Sequence, residues 1–384
     1  MSDNDLNEFE DIRPYNDEEF PEIIKRLSRN KYLKDFIVNL KWPNSPNLCR
    51  RPAGKLVEFM IRKELGHYKT IAEFQEKFSI GRLVKWIVDK TTNGISSSGI
   101  DKLEKGTSYL FISNHRDIVL DSALINNFLV HEGFPTTHIA FGDNLLINDF
   151  IGDLIRINKS FIVKRNLPPR EQIAASIKLS KYINKTLENG ETIWIAQKEG
   201  RSKDGADQTN PAVIKMFYLS QRKSGVEFSD FIKKCRIIPV SISYELDPCD
   251  TLKGWEVHRK ETRENVEKTK TLDLISIWTG MKGFKGRVHI DFGDQLSGNY
   301  ANDKDVARAL DRAIHRGYKL WPSNYISYDE LNSTGKYADR YTEQEREEFL
   351  GRFRKLEEPV LKKVLSMYAR PVSNQEEAVF DNAE

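Results

Sequence analysis

Proton chemistry is first suggested where Ser113-Asn114-His115-Arg116-Asp117-Ile118-Val119-Leu120-Asp121 follows the apolar run Tyr109-Leu110-Phe111-Ile112. An imidazole titrates near neutrality, and a carboxylate that fixes one ring nitrogen leaves the other free to take a proton from a hydroxyl. Asp117 and Asp121 both lie within six residues of His115, so either could be that carboxylate. In a regular helix neither would share a face with His115. The histidine therefore belongs on a turn, with its carboxylate on the first turns of the helix that follows. Backbone N–H groups at that helix start could hold a developing oxyanion. Ser113 reads as structural, because no Gly-x-Ser-x-Gly elbow surrounds it. Further along, Ile195-Ala196-Gln197-Lys198-Glu199-Gly200-Arg201-Ser202-Lys203 is again an apolar run ending in a polar turn.

Charge is segregated around these segments. The net charge of +3 conceals nine acids against Arg13 alone in residues 1–22, and eight cations against Glu171 alone in residues 156–185. The first block reads as a flexible acidic tail. The second sets up a field suited to anionic substrates or lipid headgroups. Lys178, Lys181 and Lys185 read as a solvated helix face, whereas Lys164 and Arg165, at the end of an apolar run, read as functional.

The elements that must position these residues follow from periodicity. Strands are expected at Tyr109 to Ile112, Thr137 to Phe141, Phe161 to Val163, Thr192 to Ala196, Ile237 to Tyr244 and Val288 to Phe292. Helical patterns lie between them, clearest from Pro168-Pro169 to just before Gly190. Alternation of this kind predicts an α/β sheet flanked by helices, with the site in loops at strand ends. Residues 23–90 read as a helical region interrupted near Pro43, Pro46 and Pro52. Within it the stretch from Thr70 to Lys90 fits either an interfacial helix or one packed on the next domain. Asn93-Gly94 and Ser96 to Gly99 read as a polar boundary, which puts the catalytic domain at 91–300 and a helical region at 301–384. In that last region a helix begins at Asp303, a loop surrounds Trp321 to Tyr325, and a final helix runs from Thr342 to about Tyr368.

Several classes of function find no support. The first residues lack the pattern of a signal peptide and no window carries about 18 consecutive apolar residues, so the expected setting is cytoplasmic, with membrane contact peripheral. Cys49, Cys235 and Cys249 have neither disulfide nor zinc spacing, and His67, His131, His258 and His315 lack a second ligand, so no metal or cofactor is expected. His138 and His289 read as core residues. Gly283-Phe284-Lys285-Gly286 has the spacing of an RNA-binding loop without its surroundings, so nucleic acid is not an expected partner.

Four blocks in order carry a resemblance: Asn114-His115 with a following Asp, Phe161-Ile162-Val163-Lys164-Arg165, Glu199-Gly200-Arg201-Ser202, and Ile238-Pro239-Val240-Ser241-Ile242-Ser243-Tyr244-Glu245. Together they resemble the glycerolipid acyltransferase superfamily, over about residues 95 to 300. The chain looks like a divergent branch, with five residues rather than four between His115 and Asp121, and with Arg201 directly after Gly200. The resemblance implies direct acyl transfer from acyl-CoA or acyl-carrier protein to glycerol-3-phosphate or, as a close second, lysophosphatidate. His115 would be the base, and Asp121, ahead of Asp117, its orienter. Arg165, Arg201, Lys164 and Lys203 would bind the acceptor phosphate, since guanidinium forks onto phosphate oxygens and lysine supplies point charge. Glu199, Gly200 and Ser202 would organise the acceptor site, and Pro239 would shape a strand along the acyl channel. A lipid-binding protein without turnover and an acyl-thioester hydrolase are the alternatives.

Overall fold

The computed structural model describes residues 7–35, 47–262 and 270–380. A seven-stranded sheet forms the centre, with strands β1 (Ile95–Ser98), β2 (Leu110–Ser113), β3 (His138–Gly142), β4 (Ser160–Val163), β5 (Ile193–Ala196), β6 (Ile237–Tyr244) and β7 (Val288–Phe292) in the order β1-β7-β6-β2-β5-β3-β4. Only β6 and β7 run antiparallel. All other neighbours are parallel, so β2, β3, β4 and β5 end on one edge of the sheet. β2 and β6 are buried at every position, which fits their unbroken apolar runs and the burial of parallel strands on both faces.

Helices cover both faces. From the N-terminus they are α1 (Phe20–Arg29), α2 (Asn47–Leu65), α3 (71–91), α4 (Leu120–His131), α5 (Asp149–Ile157), α6 (Pro169–Glu188), α7 (Pro211–Tyr218) and α8 (Phe228–Lys234). After β6 come α9 (Asp250–Thr262) and α10 (Lys270–Lys282). After β7 come α11 (Asp303–Gly317), α12 (Pro322–Asn332), α13 (Glu343–Gly351) and α14 (Glu358–Phe380). The fold is α/β, a sheet flanked by helices with helical extensions at both ends.

Six of the seven strands lie within about two residues of their sequence-read positions. The polar boundary does not hold: Ile95–Ser98 is β1, an edge strand whose side chains alternate half-buried and exposed, so a single isoleucine carries its apolar signal. The final helix is two, α13 and α14, and Trp321 is no loop residue but caps α12, with Pro322 at the first helical position, where its missing N–H is harmless. Phe349, Phe353, Val364 and Leu365 pack against Ile326 and Tyr368 inside the molecule. α3 is wound as a π-helix over Phe74–Val84; it buries Ile71, Phe74, Ile80, Val84 and Ile87 while leaving Leu83 and Trp86 exposed. Pro43 and Pro46 fall outside the described residues, and Pro52 lies within α2.

The largest departure concerns the acidic tail. Phe9 and Ile12 are buried in the main core with Phe161, Tyr182 and Ile183. The carbonyl of Ile12 accepts from Ile162 N–H at 2.8 Å, so this segment adds to the open edge of β4. Arg156 donates to the carbonyls of Glu10, Asp11 and Arg13. Over residues 7–22 the segment is part of the fold, held by two large apolar side chains and by the cations it faces.

Candidate active site

His115 sits on the turn between β2 and α4, and Asp121 is the second residue of α4. His115 Nδ1 lies 2.8 Å from Asp121 Oδ2, so the N–H is placed on Nδ1 and the Nε2 lone pair is free. The carboxylate of Asp121 is fully buried and saturated. Oδ2 also accepts from the backbone N–H of Arg116 at 2.6 Å and of Asp117 at 3.0 Å, and Oδ1 accepts from Tyr244 O–H at 3.0 Å. Tyr244 is the last residue of β6, beside β2, and its hydroxyl is held well above its ordinary pKa, first by burial and then by the charge on Asp121.

Asp117 does something else. Its Oδ1 accepts from Val119 and Leu120 N–H at 3.0 and 2.9 Å, so it caps α4 and does not touch His115. Burial, then the neighbouring Asp121 carboxylate, raises its pKa. A Cβ at Gly280 of α10 would fall 2.1 Å from Asp117 Oδ2, so only glycine lets that helix approach. The N–H groups of Arg116, Asp117, Val119 and Leu120 are thereby spent on two carboxylates, which removes four donors from the oxyanion site expected at the helix start.

Neighbouring elements lock the turn. Asn114 mimics a strand residue, donating from Nδ2 to Ile242 O and accepting from Ile242 N–H. Ser113 Oγ accepts from Trp194 Nε1 at 3.0 Å, and the indole meets the His115 ring edge to face at 5.8 Å. Ser202 N–H donates to His115 O at 2.7 Å, which ties the Glu199–Ser202 turn to the histidine; Gly200 in that turn has φ +75°. Lys253, fully buried on α9, donates to Arg116 O at 2.8 Å and to Asp247 at 2.5 Å, while the Arg116 guanidinium pairs with buried Asp207.

A cavity of about 330 Å³ opens over His115 and Trp194. Lys164, Arg165, Lys198, Arg201 and Lys203 line it, with Glu199, Gly200 and Asp11. Arg165 pairs with Glu199 at 2.9 Å and reaches Asn144 Oδ1 at 3.3 Å, so Glu199 holds an arginine. Lys203 pairs with Glu256, and Lys164 with Asp11. Arg201 and Lys198 form no ion pair or hydrogen bond among the described residues, and they are the cations most open to a ligand. Ile12, Ile162, Leu179, Val213 and Met216 give the same cavity its apolar walls. Pro239 is not among them. Buried in β6 opposite Ile112, it accepts from Gly293 N–H at 2.9 Å and shapes the sheet rather than the channel. Lys198 and Tyr244 stand inside blocks that the sequence displays, yet residue type and spacing alone mark neither as a site residue.

The arrangement is a buried carboxylate that fixes an imidazole facing a cationic cavity, with apolar walls alongside. Residues 94–243 match the family model Acyltransferase. The chain is 22% identical over 223 residues to a glycerol-3-phosphate acyltransferase of Aeromonas hydrophila, covering 57% of this chain and 26% of that protein. It is 24% identical over 288 residues to a dihydroxyacetone phosphate acyltransferase of Bos taurus, covering 73% and 38%. The chain thus spans roughly a quarter to two-fifths of the length of these relatives. A 1-acyl-sn-glycerophosphate acyltransferase of Thermotoga maritima aligns at 14% identity with a TM-score of 0.36, over 74% of this chain and 87% of that one, too loosely to place any residue. The stretch that matches the Acyltransferase model, residues 94–243, is the one that carries the His115 turn, the end of β4 and the Glu199–Ser202 turn.

Proposed function

We propose that the protein is an O-acyltransferase that moves a fatty acyl group from a thioester, acyl-CoA or acyl-carrier protein, to a hydroxyl of a phosphate-bearing glycerol acceptor. The observation that carries this reading is the Nδ1 contact of His115 with a saturated, buried Asp121, which leaves Nε2 toward a cavity containing the uncommitted Arg201. The acceptor hydroxyl attacks the thioester carbonyl as His115 Nε2 takes its proton. The tetrahedral intermediate collapses with loss of thiolate, which recovers that proton from the imidazolium. Asp121 stabilises the imidazolium between the two steps. Arg201 and Lys198, which carry no ion pair among the described residues, are the groups available to bind the acceptor phosphate.

The preference for a three-carbon phosphate over lysophosphatidate as acceptor is supported by relatives named for glycerol-3-phosphate and dihydroxyacetone phosphate. No helix among the described residues is long and apolar enough to cross a membrane. Peripheral contact is supported by α10, which places Asp273 at the cavity and leaves Leu274, Ile275 and Trp278 exposed beside it. The test is thiol release from palmitoyl-CoA and from palmitoyl-carrier protein by the full chain and by His115→Ala, with glycerol-3-phosphate, lysophosphatidate or no acceptor, with and without anionic vesicles. Acceptor-dependent release that is lost in His115→Ala and rises with vesicles is expected. Release without acceptor would make the protein a hydrolase, and no release from either donor would leave a lipid binder on this fold.

A further inference from the structure

Lys164 and Arg165 are consecutive at the end of β4, and their side chains diverge: Arg165 turns to Asn144 and Glu199, Lys164 to the N-terminal segment. There Asp11 bridges two cations, with Oδ1 at 2.6 Å from Lys178 Nζ and Oδ2 on Lys164 Nζ. All three side chains line the cavity above His115. The cavity therefore has two cationic places. One, Arg165, Lys198 and Arg201, adjoins the histidine turn; the other, Lys164 and Lys178, is already occupied by a carboxylate of the protein itself.

That carboxylate is exchangeable while its backbone is not. Phe9 and Ile12 anchor the segment in the core, Ile12 O is bonded to β4, and Arg156 holds the carbonyl of Asp11 at 3.0 Å. The side chain of Asp11 remains 39% exposed, and those of Lys164 and Lys178 are 35% and 33% exposed. Ion pairs this open are worth about 1 kcal/mol or less. One negative charge between two ammonium groups also leaves an excess positive charge, which coenzyme A, with a diphosphate and a phosphomonoester, would match better, whereas the phosphodiester of a carrier protein's phosphopantetheine would exchange one negative charge for another. A rotation of Asp11 about its side-chain bonds would free both lysines without unfolding anything.

Transfer from a thioester to a phosphorylated alcohol brings two kinds of phosphate to the site. The phosphate of a three-carbon acceptor lies close to the reacting hydroxyl, and that of the donor lies at the far end of a pantetheine arm. We propose that Lys164 and Lys178 form a second anion subsite, which Asp11 fills in the empty molecule and which takes a phosphate of the thioester donor, whether from coenzyme A or from a carrier protein's phosphopantetheine. This rests on the acyltransferase reading above. It reassigns Lys164 from the acceptor to the donor and gives Lys178 a function.

The test is calorimetric titration of the full chain with coenzyme A and, separately, with holo-acyl-carrier protein, on wild type, Lys178→Met, Lys178→Arg, Asp11→Asn and the Asp11→Asn/Lys178→Met double variant. Binding of the true donor should weaken about tenfold in Lys178→Met, the loss of one favourable charge–phosphate contact, and be largely retained in Lys178→Arg. It should tighten several-fold in Asp11→Asn, and the double variant should show no gain over Lys178→Met. In turnover the donor KM should follow these changes while kcat and the acceptor KM stay put. Affinity that is unchanged in Lys178→Met, or weakened in Asp11→Asn as in Lys178→Met, would make the Asp11 bridge a structural clamp. An acceptor KM that moves instead would return the pair to the acceptor, and a wild type that binds neither probe would also overturn the subsite. Because the titration needs no turnover, a protein that binds coenzyme A yet transfers to no acceptor would sink the enzymatic reading while leaving the subsite standing.

Discussion

The ends of β2 and β4 lie on the same edge of the same sheet and are built in opposite ways. After β2, the groups that matter are buried and hydrogen bonded to one another: Asp121 accepts from four donors, Asn114 fills the β6 ladder, and Ser113 holds Trp194. After β4, Lys164 and Arg165 are part-exposed cations whose partners are the surface acids Asp11 and Glu199. A saturated buried carboxylate is rigid because each lost contact leaves a desolvated group, whereas an exposed pair exchanges at little cost. The first end suits a group that must keep one geometry through the reaction, and the second suits groups that release and rebind an anion.

Breaking the β2 end should show in kcat. His115→Ala should lower kcat by roughly 10³-fold, within the range for general-base catalysis, and leave acceptor and donor KM within a factor of about two, as steady-state kinetics would show. Asp121→Asn should approach the same loss, because an amide cannot stabilise the imidazolium. If either variant changed KM far more than kcat, His115 would be a binding residue and the contrast would collapse. Breaking the cationic side should show in KM. Arg201→Ala should raise the acceptor KM by one to two orders of magnitude, as for a charged hydrogen bond worth about 1.5–3 kcal/mol, with kcat nearly unchanged and the effect shrinking in high salt. Tyr244→Phe sharpens the comparison further. It leaves Asp121 Oδ1 one donor short, so thermal unfolding should reveal a loss of about 1–3 kcal/mol together with a several-fold drop in kcat, and the acceptor KM should not move.

What the sequence reveals divides along the same line. His115 and Asp121 are legible because their relation is local, a turn followed by the start of a helix, and six strands are legible because parallel strands buried on both faces read as unbroken apolar runs. Tyr244 is recognisable only once β6 is known to lie beside β2, and strand order is a long-range property that one sequence does not carry. The fate of the α4 amides is equally hidden, since the capping role of Asp117 depends on a backbone geometry that its residue type permits but does not require. The acidic segment misleads because composition averages nine acids over residues 1–22 and hides Phe9 and Ile12 among them. Yet its excess of acids is nearly matched by the excess of cations in residues 156–185, and Asp11 and Glu8 meet Lys164, Lys178 and Lys181 across the fold. Two opposite charge blocks of similar size were a signal for contact that neither block gives alone.

The smallest expected effect separates the two acids of the β2 end. Asp117 has its pKa raised from 3.8 by burial and by Asp121, so the folded protein holds this proton more tightly than the unfolded chain does. A carboxyl with a raised folded pKa favours folding at low pH, and that advantage is lost as pH climbs from about 3.8 through the folded value. At neutral pH the charge on Asp117 therefore opposes folding, while its Oδ1 still caps α4. Asp117→Asn keeps an oxygen for Val119 and Leu120 N–H and removes the charge, so at pH 7 the variant should be as stable as wild type or more stable by less than about 1 kcal/mol, a rise of a few degrees in Tm at most. The gap should close as the pH falls through the raised folded value toward 3.8, because wild type takes up its proton over that range. Asp121→Asn should instead lose stability at neutral pH, because its carboxylate is met by four donors. Arg201 adds a second reading, since its positive charge acts on Asp117 from the cavity side. If the Asp117 charge aims that guanidinium, Asp117→Asn will raise the acceptor KM while the protein gains stability. A loss of stability in Asp117→Asn equal to that in Asp121→Asn would mean that both carboxylates are held in the same way, and that the division of work between them is wrong.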